Sequence, residues 1–100
     1  MANPAVYDAL AAQAVVTVAT GTAASIGANV AGTRGVRLQS DPANTANIYL
    51  GSDATLTAAP VKAWGVLRPG EWIFLPINGI AEIFAISATA SQKLLVGSSS

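Results

Sequence analysis

Arg68-Pro69-Gly70-Glu71-Trp72-Ile73-Phe74-Leu75-Pro76-Ile77-Asn78-Gly79-Ile80-Ala81-Glu82-Ile83-Phe84-Ala85-Ile86 is the stretch that decides the fold class. Arg68-Pro69-Gly70 fits a type II turn, with proline presetting φ at the second position and glycine free to take φ > 0 at the third. Residues 71–75 then read as a strand. Pro76 has no N–H to give to a ladder, so this strand ends there or lies at a sheet edge. Asn78-Gly79 is a strong two-residue hairpin signal, and it predicts a partner strand over residues 80–87. Both tryptophans and both phenylalanines lie in or beside this unit, which makes it the expected core.

Upstream, the period of two recurs. Val16 and Val18 alternate with Thr17 and Ala19, and Ile26 centres a shorter candidate. In residues 34–39, Val36 and Leu38 alternate with Arg37 and Gln39, the pattern of a strand with one wet face. Ser40 to Thr45 form a polar loop. Ile48 and Leu50 share one face of the next strand, with Tyr49 on the other. Residues 54–57, with Leu56 as their buried residue, and 61–66, around Trp64, are β-permissive. Gln92 to Gly97 form a last strand. These are about eight short strands with turn signals roughly every 8–12 residues, which predicts an all-β antiparallel sandwich of jelly-roll type. Residues 15–97 make the domain and residues 98–100 a tail. Residues 1–14 differ: Asn3-Pro4 suits a helix start, and Val6, Tyr7 and Leu10 give a short apolar stripe. That segment is either a short helix on its own domain or an arm for a neighbouring subunit.

Composition narrows the function classes. Apolar residues make up 52%, much of it alanine, so the core should rest on a few bulky side chains: Trp64, Trp72, Phe74, Phe84, Leu75, Ile48, Leu50 and Leu94. Five bases balance five acids, so no field draws nucleic acid or an anionic membrane. Charged residues are only 10% of the chain, against about a quarter in an average soluble domain, so part of the surface is expected to lie against a partner. No apolar run approaches the roughly 20 residues of a membrane span. No basic region precedes the apolar residues at the N-terminus, so no secretory signal is expected.

The chain has no histidine and no cysteine, which removes imidazole general bases and the usual metal ligands. No cofactor, metal or catalytic residue is expected. Asp41 and Asp53 read as turn residues. Glu71 and Glu82 would flank the predicted hairpin, as its solvated charges or as a glycosidase-type pair. Arg34 and Arg37, three apart on a strand, point to opposite faces. Tyr49, Trp64 and Trp72 could form a sugar-stacking platform, as in a carbohydrate-binding sandwich module; the ordinary expectation is that both tryptophans are core.

Ile48-Tyr49-Leu50-Gly51, Pro69-Gly70-Glu71, Phe84-Ala85-Ile86-Ser87 and Gln92-Lys93-Leu94-Leu95-Val96 together resemble small structural proteins of tailed bacteriophages, over about half the chain. The resemblance implies a non-enzymatic virion component, above all a capsid decoration (cement) protein. Such a protein sits on the capsid surface, binds the major capsid protein and forms homo-oligomers, often trimers. A head–tail connector or tail component is the alternative. Partner contacts are expected in the less recognisable N-terminal half, on Pro4, Val6, Tyr7, Leu10, Arg34 and Arg37.

Overall fold

The computed structural model describes residues 14–28, 34–58 and 62–99. Eight strands run through them: β1 (Ala14–Thr17), β2 (Ala24–Ser25), β3 (Gly35–Ser40), β4 (Ile48–Gly51), β5 (Gly65–Leu67), β6 (Trp72–Leu75), β7 (Phe84–Ile86) and β8 (Lys93–Ser99). They form two four-stranded sheets, ordered β1-β8-β3-β6 and β2-β7-β4-β5, and every pairing is antiparallel. β1 pairs with β8, β2 with β7, β3 with β6 and β4 with β5, which nest like the rungs of one long hairpin bent within residues 52–64. The ladders β3–β8 and β4–β7 then roll that hairpin into two layers. This is the jelly-roll arrangement of an all-β sandwich.

The inner faces meet in one core. β3 contributes Val36 and Leu38, β8 Leu94 and Val96, β4 Ile48 and Leu50, β5 Leu67 and β7 Ala85, with Val18, Ile26 and Ile83 closing its ends. Val36, Leu38, Ile48, Leu50 and Leu94 are fully buried. The alternation read from the sequence thus holds in β1, β3 and β4: apolar side chains point inward, and Arg37, Gln39 and Tyr49 do not.

The Arg68–Glu71 turn is of type II: Gly70 has φ +86°, and the Glu71 N–H donates to the Arg68 carbonyl at 2.9 Å. β6 is an edge strand that stops before Pro76. The polar loop after β3 is held by side-chain amides. Asn44 Nδ2 donates to Ser40 Oγ and the Lys93 carbonyl, both at 2.8 Å, and Asn44 Oδ1 accepts the Lys93 N–H. Gln92 Oε1 accepts the N–H groups of Thr45 and Ala46 at 2.8 and 2.9 Å. No buried side-chain polar atom among the described residues lacks a partner.

Several expectations are corrected. Asn78-Gly79 closes no hairpin, because β6 and β7 belong to different sheets. Pro76 ends the ladder, the Ile77 N–H turns back to the Leu75 carbonyl, and Ile80 to Ile83 make a turn of their own. The chain thereby passes from one sheet to the other, and β7 shrinks to residues 84–86. Residues 54–57 are a turn and exposed loop, with Leu56 buried as expected, and β5 starts at Gly65, later than the expected strand. β8 runs on through Ser98 and Ser99, paired with Val36 and Gly35, so the strand takes up most of the expected tail. Neither tryptophan is core: Trp64 is 44% and Trp72 58% exposed. Phe74, Phe84 and Leu75 are half-buried. The expected arm or helix lies outside the described residues up to Ala14, where β1 begins.

Leu38→Ala should lower unfolding free energy by about 2–5 kcal/mol, whereas Trp72→Ala should cost about 1 kcal/mol or less, the scale of an exposed cation–π contact. Urea unfolding of the two variants checks the order. Gln92→Leu strands two backbone donors and should cost about 2–3 kcal/mol in the same assay.

Candidate functional site

The two sheets differ in what covers their outer faces. On the β2-β7-β4-β5 sheet, Tyr49, Phe84 and Ile86 lie under the connection from β4 to β5. Leu56 comes down on Gly51, and Ala23, Leu56 and Ile86 form a second buried cluster with Ala58 and Ala63 at its margin. The chain covers this part of the face itself, while Val66, the register partner of Tyr49, stays 38% exposed.

No described segment packs in this way on the β1-β8-β3-β6 sheet. Leu38 points inward, and register partners point the same way, so Arg37 with Phe74, Gln39 with Trp72, Val15 with Leu95 and Thr17 with Lys93 all face outward. Val15 is 63% exposed. The Arg37 guanidinium lies over the Trp72 ring, 5.0 Å from its centroid. Phe74 folds across Gly35, where an added Cβ would come within 2.2 Å of Cζ; only glycine permits that approach. Lys93 Nζ donates to Thr17 Oγ1 at 2.8 Å across the far side of the face. The result is a face that mixes apolar side chains with Gln39 and Thr17 and bears two cations, Arg37 and Lys93, and no described carboxylate.

The acids sit elsewhere. Asp41 Oδ1 accepts the Ala43 N–H at 2.9 Å, and Glu71 Oε1 accepts the Arg68 N–H at 2.7 Å within the type II turn. Asp53 accepts both the hydroxyl and the N–H of Thr55. Those two bonds, the hydroxyl first, hold the Asp53 carboxyl below the usual carboxylate range, with a smaller contribution from Lys62. Asp41 and Asp53 are therefore turn residues, as expected. With no hairpin between them, Glu71 caps its own turn while Glu82 lines an open groove at one end of the sandwich. That groove, of about 400 Å³, is formed with Trp64, Leu75, Ile77, Asn78, Gly79 and Ile83. No group of three or more His, Cys, Asp or Glu gathers among the described residues, and none of their helices is long and apolar enough to cross a membrane.

Of the expected partner residues, Arg37 stands at the centre of the bare face. Arg34 is exposed just before β3, and Pro4, Val6, Tyr7 and Leu10 lie outside the described residues. Tyr49, Trp64 and Trp72 share no surface: Tyr49 and Trp72 are on opposite outer faces, and Trp64 is in the groove. Trp72, Phe74 and Leu95 were missed as surface residues. Their signal was the wet alternation of β3, since Arg37 and Gln39 mark the side to which paired neighbours must also point. Comparison with protein-family models, curated proteins and solved structures returned no match.

Because its folded pKa is depressed, Asp53 adds stability at pH above the ordinary carboxylate value, and that contribution is lost as pH falls through the folded pKa. Thr55→Val, which removes the hydroxyl and keeps the N–H, should move the Asp53 titration part of the way back up. Carboxyl-detected NMR reads the shift; an unmoved midpoint would show that the hydroxyl bond has no role.

Proposed function

We propose that this chain is a structural virion protein, a decoration protein on the surface of a bacteriophage capsid. It holds to the major capsid protein through the outer face of the β1-β8-β3-β6 sheet. The observation that carries the reading is the contrast between the two faces: one is partly covered by the chain's own loop and leaves Val66 exposed, and the other presents Trp72, Phe74, Leu95 and Val15 around Arg37. Tryptophan and arginine are the residues that most often dominate protein–protein contacts. Among the described residues the patch has no carboxylate, so an acidic, partly apolar protein surface is its complement. The sparse charge of the chain and the resemblance over residues 47–97 support the same role.

In this reading the protein acts by adhesion and not by chemistry, in many copies over the head, and associates with itself, with a trimer favoured. Purified chain should co-sediment with capsids assembled without it. Trp72→Ala combined with Arg37→Glu should weaken that binding about 10-fold or more while leaving the thermal midpoint within a few degrees. Full binding by the double variant would remove this face from the interaction. A copy number matching a single vertex would instead indicate a connector.

A further inference from the structure

The groove at the end of the sandwich carries chemistry of the opposite sign from the sheet face. Its walls are the apolar side chains of Leu75, Ile77 and Ile83, the half-exposed indole of Trp64, and Asn78 and Gly79, and Glu82 is the one charged group in its lining among the described residues. Asp41, Asp53 and Glu71 are each engaged by N–H groups of their own turns, whereas Glu82 stands exposed beside the groove. The volume, about 400 Å³, is within the range of roughly 300–1,000 Å³ of ligand-sized sites. The groove also owes its existence to the sheet crossing, because Pro76 to Ile83 turn there instead of pairing.

We propose that this groove seats a basic side chain, arginine above lysine, projecting from a loop of a partner protein. The aliphatic stem lies along Leu75, Ile77 and Ile83, as the stems of long cationic side chains lie on apolar surface elsewhere. The head lies between the Trp64 ring and the Glu82 carboxylate. It gains a cation–π contact from the ring and a charge-assisted hydrogen bond from the acid. A planar guanidinium stacks on an indole better than a compact ammonium does, and the chain already makes that pairing internally at Arg37 and Trp72. Charge complementarity favours this occupant: an anion is repelled by Glu82, and a sugar, though it could bond Asn78 and Glu82, would set its remaining hydroxyls against Leu75, Ile77 and Ile83.

The test is an NMR titration of the isotope-labelled full chain with N-acetyl-arginine methylamide and with its uncharged isostere, N-acetyl-citrulline methylamide. The arginine compound should give saturable shifts at the Trp64 indole N–H and the Ile77 and Ile83 methyls, with a Kd on the order of 1 mM. The citrulline compound should bind at least about 5-fold more weakly, and Glu82→Gln should bring arginine down to that level. Trp64→Ala should abolish saturation. Trp72→Phe, on the sheet face, should leave the titration unchanged, and the amide spectra of all variants report whether they fold. Equal binding of the two compounds, shifts centred on Trp72, tighter binding of a neutral monosaccharide, or no binding at all would each overturn the proposal.

Discussion

The ladder between β3 and β8 is the constraint on which the rest of this molecule depends. Its six register pairs, from Gly35 with Ser99 to Ser40 with Leu94, join the first half of the chain to the last. They also place Val36, Leu38, Leu94 and Val96 side by side on one inner face. Without that ladder the nested pairs would remain a long hairpin with a single apolar side and nothing to cover it. With it, the sheet meets the face carrying Ile48, Leu50, Leu67 and Ala85, and both are dry. Its partners lie far apart in the chain, so most of the closure entropy must be met before these contacts form, which is why folds of this kind assemble slowly. The Asn44 and Gln92 amides lock the loop after β3 to the start of β8 and so fix the register of this same ladder at its end.

How much of this was legible follows from what each signal needs. The alternation in residues 36–39 and 48–50 needs only a period of two and one wet face, and both strands formed with the expected sides buried. The type II turn at Arg68–Glu71 and the break at Pro76 rest on local backbone rules, and both appear. Asn78-Gly79 obeyed a local rule as well, but a competing requirement overrode it. Ile73 and Leu75 on one side, and Ile83 and Ala85 on the other, enter the same core from opposite sheets, and a tight hairpin would have kept them in one. Trp72 was misread for a related reason. Residues 71–75 are apolar on both faces, so nothing within them says which side is inner; the register with Arg37 and Gln39 says it, and register is tertiary. Arg37 was named from the sequence as a contact residue, but its ring partner and the patch around it required the pairing of β3 with β6.

Zero net charge conceals a segregated surface. Among the described acids, Asp41, Asp53 and Glu71 are absorbed by turns, where a carboxylate satisfies backbone N–H groups that would otherwise face water. Arg37 and Lys93 instead lie on the bare sheet face, and Glu82 lies at the end groove. A chain with so few charges can give each of its surfaces one sign, and a surface of one sign both attracts its complement and rejects copies of itself. The bare faces of two molecules laid flat on one another would bring Arg37 and Lys93 of each against the other's cations.

The aromatic residues make sense on the same terms. A core built from valine, leucine, isoleucine and alanine closes between two sheets without large rings, and the small residues beneath Phe74 and Leu56 let the backbone and side chains lie close. Trp64 and Trp72 are therefore not needed inside, and both are held in open positions, Trp72 under a stacked guanidinium and Trp64 at the end of the sandwich. An exposed indole costs solubility, and Trp72, more than half accessible to water, adds little to folding. The two exposed indoles stand at separate places, Trp72 beside Arg37 and Trp64 in the groove that Glu82 also lines.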